Sequence, residues 1–286
     1  MSKILVTGGA GFVGTNLIKN LIKLDHTVVS IDDYSIGTKQ NHQKGVKYIN
    51  GDINQIKDII QNDFDFCFHL AGLSRIQPSF LNPQETFRVN TEGTLNVLEW
   101  AKKNKTKVIY SGSSSKHHNP SISPYAMFKY LGEEICKLYR VSYNMRIEIV
   151  RFYNVYGPHE IIDGKWAALI GKWRGQIKEE KPLTIVGDGH QRRDFTHIID
   201  IVDGLIKIAF SNESHEDAWE LGSGKNYSIN EVFEMFKRKF DVSANYIENQ
   251  NGNYRETIRE SNNALELLGW KPHDRLLDYI LNLEND

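Results

Sequence analysis

The sequence is poor in cysteine and carries almost no net charge. Its 286 residues include only two cysteines, Cys67 and Cys136, which lie far apart in apolar surroundings and lack the spacing of a metal site. This predicts buried thiols in a reducing compartment rather than a disulfide scaffold or a metal centre. The formal net charge is −1, so no overall electrostatic field draws the chain to nucleic acid or to a membrane. We therefore expect no metal, nucleic-acid or membrane partner.

Long apolar runs, repeats and a signal peptide are also missing. No apolar run approaches the ~18 residues that a membrane span requires. The N-terminus enters a strand-like segment directly, which predicts a cytoplasmic protein. Hydrophobic residues make up 40% of the chain and charged residues 25%, as in ordinary soluble globular proteins. The length is sufficient for one large or two modest domains.

Glycines are concentrated in one informative segment, residues 7–14 (TGGAGFVG). It follows an apolar run and opens an amphipathic stretch, which predicts a strand, a glycine turn and a helix. Glycines let the backbone approach a pyrophosphate closely, and the helix N-terminus offers free N–H groups to phosphates. Asp32 ends a second apolar run 18 residues past Gly14, near the spacing of a carboxylate that binds an adenosine ribose. The alternative is an ordinary βα turn without a ligand.

Strand-like and helix-like segments alternate through the first half of the chain. Strands are predicted at 3–7, 27–31, 46–49, 64–70, 107–111 and 147–152, and helices at 12–24, 54–61, 84–104 and 124–143. This alternation predicts an α/β fold with a doubly wound parallel (Rossmann) sheet. Beyond Asn154 the pattern changes to helices at 166–177, 198–210, 229–240 and 261–268 and short strands at 184–186 and 218–221.

Two domains are expected from this change of pattern. A dinucleotide-binding domain would comprise residues 1–153 and about 191–222, and a smaller C-terminal α/β substrate lobe about 154–190 and 223–286. The ligand would lie in the cleft between them, at the carboxyl ends of the strands.

Tyr125 and Lys129 are four residues apart on a predicted helix, so their side chains share one face. A phenol titrates near pH ~10, and a base active near neutrality needs a pKa about 3 units lower, worth about 4 kcal/mol. A nearby ammonium together with a positively charged nicotinamide would favour the phenolate. Ser113, at the end of the fifth strand, would share a proton with Tyr125. Alternatively, the pair is an ordinary feature of a helix surface and Ser113 belongs to a serine-rich loop without a role.

Taken together, these segments resemble the extended short-chain dehydrogenase/reductase family, in particular its NAD-dependent nucleotide-sugar epimerases and dehydratases. The matches cover nearly the whole chain: residues 7–14, Asp32, 51–53, 69–72, 89–94, the Ser113/Tyr125/Lys129 set, 151–158, 192–197 with Asp200, and 268–272.

The resemblance implies a role for each matching residue. The implied NAD-binding residues are Gly8, Gly11, Phe12, Val13, Asp32, Asp33, Asp52, Ile53, Leu70, Ala71, Gly72, Asn90, Ser111, Tyr125, Lys129 and Tyr153. A carboxylate at Asp32 favours NAD over NADP because it repels a 2′-phosphate. The implied substrate-binding residues are Ser113, Asn154, Arg193 and Arg255, with Tyr125, Lys129 and Ser113 as the catalytic set. For Arg193, a structural salt bridge with Asp194 or Asp200 is the alternative.

The resemblance also narrows the reaction. Dehydratases and decarboxylases of this family carry acidic residues just after the catalytic hydroxyl, whereas Ser113 is followed by Ser114 and Ser115. We therefore expect NAD-dependent 4-epimerisation of a UDP-linked hexose through a transient 4-keto sugar. The alternatives are a 4-ketosugar reductase using NAD(P)H, a sugar 4,6-dehydratase, and a cofactor-binding regulatory protein without activity.

The sequence departs from the family pattern at three places, and the resemblance implies a second copy of the chain as partner. Only 12 residues separate Ser113 from Tyr125, which predicts a more open cleft, and Gln250 replaces an arginine of many relatives. Thr257 occupies a position that is aromatic in glucose-restricted epimerases, so an N-acetyl group at C2 would be admitted. Relatives dimerise through a four-helix bundle, which the resemblance places here at 84–104 and 124–143. The candidate contacts are Phe87, Leu95, Leu98, Leu131 and Tyr139, and the alternative is that these side chains pack in the core.

Overall fold

A seven-stranded parallel sheet forms the centre of the computed structural model, which describes residues 1–284. The strands of the large sheet and of the smaller pairings, in chain order, are β1 (Lys3–Thr7), β2 (Thr27–Asp32), β3 (Lys47–Asn50), β4 (Phe66–His69), β5 (Lys107–Ser113), β6 (Ile147–Phe152), β7 (Val155–Tyr156), β8 (Leu183–Val186), β9 (Arg192–Asp194), β10 (Thr196–His197), β11 (Trp219–Leu221), β12 (Asn226–Ser228) and β13 (Ala244–Ile247). The large sheet has the order β11-β6-β5-β4-β1-β2-β3. The predicted doubly wound α/β fold is confirmed.

Helices cover both faces of this sheet. They are α1 (Phe12–Lys23), α2 (Ile56–Ile59), α3 (Ile76–Leu81), α4 (Pro83–Phe87), α5 (Gly93–Asn104), α6 (Pro124–Tyr143), α7 (Leu169–Lys178), α8 (Ile198–Phe210), α9 (Ile229–Lys237), α10 (Asn263–Leu268) and α11 (Leu276–Leu281). Among residues 1–284, no helix has both the length and the apolar character needed to cross a membrane.

Strand β1 shows why the sheet is buried on both sides. Successive side chains of a strand point to opposite faces, so a continuous apolar run serves two cores. Ile4 and Val6 pack with residues of α1 and α8, including Leu17. Leu5 packs on the other face with residues of α5 and α6, including Leu98.

A third core lies outside the large sheet. It is formed mainly by α7, α9, α11 and β8, with Trp173, Leu183 and Phe236 fully buried. Three two-stranded pairings accompany it: β13 with β8 (parallel), β12 with β9 (antiparallel) and β10 with β7 (parallel). The sequence did not predict β7, β9, β10, β12, β13, α3 or α11.

The segment 84–104, predicted as one helix, consists of α4, a π-helical turn and α5. Helix α4 begins at Pro83, one residue after Asn82, whose side chain accepts a hydrogen bond from Glu85 N. A π-helical turn at Arg88–Glu92 then separates α4 from α5. The Thr94 hydroxyl donates to the Asn90 carbonyl at 2.8 Å beside this turn. The predicted helix 54–61 is shorter than expected, because a 3₁₀ turn capped by Asp52 precedes α2.

Three of the five candidate dimer contacts differ from the expectation of an exposed face. Leu98 and Tyr139 are buried in the core beneath α5 and α6. They are therefore not available to a second copy of the chain. Leu131 is half-buried, whereas Phe87 and Leu95 are exposed. Both predicted thiols, Cys67 and Cys136, are free and buried, which raises the pKa of each.

Candidate active site

A cavity of about 720 Å³ opens at the carboxyl ends of the parallel strands, between the large sheet and the third core. Most of the predicted site residues line it: Gly8, Gly11, Phe12, Val13, Asp32, Asp33, Asp52, Ile53, Leu70, Ala71, Gly72, Ser111, Ser113, Tyr125, Lys129, Asn154 and Arg193. The strand ends of a parallel sheet meet at one edge, so residues far apart in sequence converge there.

The glycine turn forms one end of the cavity. Gly8 has φ +71°, and a Cβ there would lie 2.8 Å from Ala71 N. A Cβ on Gly14 would lie 2.3 Å from the Gly8 carbonyl oxygen, so the turn and α1 pack as closely as glycine permits. No side chain caps the start of α1 at Gly11. Within residues 1–284, the first N–H groups of this helix therefore have no side-chain cap, and they border a space suited to a phosphate.

Asp32 joins the glycine turn to the end of β2. Its carboxylate accepts hydrogen bonds from Ala10 N and Tyr34 N, both at 2.9 Å. Burial raises the pKa of Asp32, and these two hydrogen bonds oppose that effect. The bonds hold the carboxylate at the cavity wall. An acceptor in this position suits a ribose hydroxyl and disfavours a 2′-phosphate.

Tyr125 and Ser113 form the expected pair. The Tyr125 hydroxyl donates to Ser113 Oγ at 3.2 Å. Helix α6 begins at Pro124, and Ser123 Oγ caps it by accepting a hydrogen bond from Ala126 N at 3.1 Å. Tyr125 N donates to Ser79 Oγ of α3 at 3.0 Å. The phenol is thus fixed by the first turn of a capped helix.

Burial dominates the pKa values of Tyr125 and Lys129. Burial raises the pKa of Tyr125 above 10, and the hydrogen bond with Ser113 only partly opposes this. The Lys129 ammonium bonds to the Ser111 carbonyl and lies 4.7 Å from the centre of the Tyr110 ring. Burial lowers the pKa of Lys129 to about 8. The protein groups alone therefore do not produce the lowered phenol pKa that a base requires.

Glu133 is a site residue that the sequence analysis missed. Its carboxylate accepts from Ser113 N at 3.1 Å and forms a buried ion pair with Arg151 at 2.8 Å. It lies one helical turn after Lys129 and two after Tyr125, so this spacing was the available signal. Its role is to fix the backbone that carries Ser113.

Three predicted site residues do not line the cavity. Asn90 is 2% exposed, and its amide bonds both the N–H and the carbonyl of Leu73, at 2.8 and 2.9 Å. It holds the 70–73 wall from behind rather than forming the channel. Tyr153 is 1% exposed and bonds to Glu220, a layer behind the wall. Arg255 is exposed and pairs with Asp188 at 3.0 Å, so its predicted place at the diphosphate is not supported.

Arg193, by contrast, faces the cavity. Its guanidinium bonds to the Arg192 carbonyl at 2.8 Å and to Asn253 Oδ1 at 3.5 Å. Within residues 1–284 it forms no salt bridge with Asp194 or Asp200. Asp194 instead accepts from Ser223 N at 2.8 Å and Gly224 N at 2.9 Å. Burial lowers the pKa of Arg193 to about 10, which leaves it charged at neutral pH.

The short segment between Ser113 and Tyr125 is folded into turns and packs against the C-terminal part of the chain. Two 3₁₀ turns, Ser114–His117 and Pro120–Ile122, fill it. The His118 ring stacks on Tyr254 with centroids 4.0 Å apart, and Tyr254 lines the cavity. The Tyr254 ring, from the C-terminal part of the chain, thus packs against this segment at the cavity wall. Further wall residues that sequence reasoning missed are Arg75, Glu160, Lys165 and Lys172.

Comparison with known proteins agrees with this geometry. The sequence model of the NAD dependent epimerase/dehydratase family matches residues 4–222. The chain belongs to this family. The predicted family, fold and NAD dependence are thereby confirmed.

The relatives of this chain carry names that describe different reactions. A Methanocaldococcus jannaschii protein named "Putative UDP-glucose 4-epimerase" is 31% identical, covering 99% of this chain and 97% of that protein. UDP-glucuronic acid decarboxylase 3 of Arabidopsis thaliana is 27% identical over 99% of this chain and 88% of its own. The structure of UDP-glucuronic acid 4-epimerase from Bacillus cereus with UDP-glucuronic acid and NAD is 30% identical, with a TM-score of 0.86 and coverage of 97% and 96%.

Proposed function

We propose that the protein is an NAD-dependent 4-epimerase of a UDP-linked hexose. The observation that carries this proposal is the Tyr125–Ser113 hydrogen bond inside a cavity whose other end is the uncapped N-terminus of α1. The names of the relatives support a UDP-sugar substrate. The absence of an acid at 113–115 favours epimerisation, because the resemblance implies an acidic residue there that protonates the leaving hydroxyl in dehydratases or steers the loss of CO₂ in decarboxylases.

The glycine turn and Asp32 would hold the pyrophosphate and adenosine ribose of NAD, with Asp33, Asp52 and Ile53 beside them. When bound, NAD supplies a hydride acceptor and donor and a positive charge close to the phenol. That charge is what the protein lacks, since burial raises the pKa of Tyr125. Lys129, tied to the Ser111 carbonyl, would hold the nicotinamide ribose.

Tyr125 would take the proton of the sugar C4 hydroxyl and return it after the sugar has turned over. Ser113 bonds to the phenol and would bond to the same sugar hydroxyl, so it keeps the proton path aligned. Residues about 154–190 and 223–286 would form the nucleotide-sugar lobe, with Asn154 and Arg193 at the diphosphate.

Thr257 supports a broad sugar site. It is buried at the cavity wall, and its hydroxyl accepts from Asn154 Nδ2 at 3.3 Å. A small side chain here leaves space at the sugar that an aromatic ring would fill. We therefore expect UDP-N-acetylhexosamines to enter as well as UDP-hexoses.

Replacing Tyr125 by Phe tests the proposal. We expect Tyr125→Phe to lower kcat by at least about 10²-fold while UDP-sugar and NAD binding persist, because only the proton-transfer group is removed. NMR would follow interconversion of the 4-epimers. Tyr130→Phe, on the same helix but outside the cavity wall, is the matched control and should retain activity. Stoichiometric oxidation of added NADH or NADPH by a 4-ketosugar would instead identify a reductase, and full activity of Tyr125→Phe would contradict the mechanism.

A further inference from the structure

Arg75 is a cation at the cavity wall that the proposed reaction does not use. Its Nε donates to the Trp166 carbonyl at 2.8 Å, and its Nη1 donates to the Ser74 carbonyl at 2.9 Å. These bonds anchor the guanidinium to backbone at two points. Its Nη2 makes no hydrogen bond within residues 1–284, and the side chain lines the cavity. A forked donor therefore remains available to a ligand.

No carboxylate neutralises this guanidinium directly. In the described part of the chain, no Asp or Glu oxygen lies within salt-bridge distance of Arg75. Glu160 is the acidic neighbour that acts on it electrostatically. The Glu160 carboxylate bonds instead to Arg174 at 3.2 Å and to Tyr279 at 3.1 Å. Burial also raises the pKa of Glu160 to about 7, so its negative charge is incomplete near neutrality.

Arg75 lies at the reacting end of the cavity rather than at the NAD end. It precedes α3, whose Ser79 Oγ accepts from Tyr125 N at 3.0 Å, so this segment packs against the start of α6. Arg75 and Tyr125 are close enough for the guanidinium to act on the phenol pKa, in the lowering direction. The hexose must occupy this place if Tyr125 acts on its C4 hydroxyl.

Other cations line the cavity and are available to the diphosphate. Arg193 faces the cavity from β9, a different wall, and Lys172 lines it from α7. Lys165 also lines it, beside the Trp166 ring at 5.3 Å. These cations suffice for the ester phosphates of a nucleotide sugar. Arg75 is thus an additional, anchored cation that a neutral hexose would leave unpaired in a partly desolvated site.

We propose that Arg75 selects nucleotide sugars whose hexose carries a carboxylate. This inference rests on the proposed function, because it assumes that the sugar lies beside Tyr125. The carboxylate belongs either to C6 of a uronic acid or to an acidic ether substituent of the ring. Both present two oxygens to a guanidinium fork.

Calorimetric titration of the NAD-loaded protein tests this selection. The ligands are UDP, UDP-glucose, UDP-glucuronic acid and UDP-N-acetylmuramic acid, and the last two distinguish the two carboxylate positions. We expect one acidic sugar nucleotide to bind at least about tenfold more tightly than UDP-glucose, the scale of one charge-assisted hydrogen bond. Arg75→Gln should abolish this preference and change UDP affinity by less than about twofold. Arg75→Lys should restore part of it, since the charge returns without the fork.

The controls separate this inference from the proposed function. Arg238→Gln, an exposed arginine outside the cavity wall, should keep the preference. UDP-glucose binding as tightly as both acids to the unmodified protein would overturn the role of Arg75 and leave the epimerase proposal standing. The same holds if the preference survives in Arg75→Gln. Absence of any UDP binding would overturn both proposals. The comparison of ligands on the unmodified protein carries the test even if Arg75→Gln does not fold.

Discussion

His69, at the end of β4, is a buried histidine whose charge state is fixed by its surroundings. Its side chain is fully buried, with Nδ1 2.8 Å from Thr7 Oγ1 and Nε2 3.1 Å from Thr94 Oγ1. Burial, with a smaller contribution from the Lys129 ammonium, lowers the pKa of His69 to about 3. The ring is therefore neutral at physiological pH and ties β1 to α5 behind the cavity wall.

This shift predicts a pH-dependent stability. The unfolded chain takes up a proton at His69 near pH ~6.5 and the folded chain does so only near pH 3, so the unfolded state binds more protons between these values. The contribution is complete above pH ~6.5 and decreases on acidification, by up to about 1.4 kcal/mol per pH unit. Urea unfolding between pH ~7 and ~5 should show the unmodified protein losing about 2 kcal/mol relative to His69→Gln. Parallel stability profiles of the two proteins would contradict this assignment.

At the scale of single residues, the sequence predicted positions that local spacing controls. Tyr125 and Lys129 line the cavity because a capped helix places residues four apart on one face. Whether a side chain reaches the wall otherwise depends on partners far along the chain. Arg255 is held by Asp188 and Tyr153 by Glu220, each 67 residues away. No local sequence pattern predicts these long-range partners, and none predicts that Arg75 lines the cavity.

At the scale of elements, Gly11 and Gly14 of the glycine turn have different surroundings. A Cβ on Gly14 would lie 2.3 Å from the Gly8 carbonyl oxygen and 2.6 Å from Gly9 Cα, both backbone atoms that cannot move aside. A Cβ on Gly11 would meet only the Gly8 carbonyl oxygen, at 3.3 Å. Gly14 is required by the packing of the turn itself, whereas Gly11 borders open space at the cavity end, where the proposed pyrophosphate would lie.

This difference predicts two separable effects. Gly14→Ala should lower the free energy of unfolding by at least about 2 kcal/mol, because the turn must move to admit the methyl group. Gly11→Ala should change it by less than about 1 kcal/mol and weaken NAD binding by at least about tenfold. Thermal unfolding measures the first effect and NAD titration the second. Unchanged NAD affinity in a folded Gly11→Ala protein would exclude the turn as the pyrophosphate site.

The strands that sequence reasoning missed are short, and they pair with strands that lie far away in the sequence. Strands β9 and β12 have three residues each, and their register pairs Arg193 with Tyr227. Three residues are too few to establish a period of two, and their partners lie about thirty residues away. Strands β1 to β6 of the large sheet, by contrast, are apolar runs bounded by turns, and these were predicted to within a few residues. A pattern carried inside one segment is predictable, whereas one completed by a distant segment is not.

At the scale of the whole molecule, large apolar side chains are exposed on the helical face that the family resemblance assigns to a dimer interface. On the α5/α6 side, Phe87 is 43% and Leu95 39% exposed. The Phe87 ring also packs edge-on against Phe128 of α6, with centroids 5.4 Å apart. These two side chains form an apolar surface across the neighbouring helices α4, α5 and α6. A second copy of the chain would cover such a surface by isologous helix packing.

We therefore expect a homodimer through this surface. Light scattering should give twice the chain mass of 32.9 kDa, and the double variant Phe87→Glu/Leu95→Glu should give the monomer mass, because charges on an apolar interface are costly to bury. Ile199→Glu is the matched control. Ile199 is 58% exposed on α8, which covers the opposite face of the sheet, so its replacement should leave the dimer intact. A monomeric unmodified protein would exclude the interface, and a dimer that withstands the double variant would place it elsewhere. Because Tyr125 and Lys129 lie on α6 itself, dissociation that also lowers activity in the folded double variant would link the interface to the site.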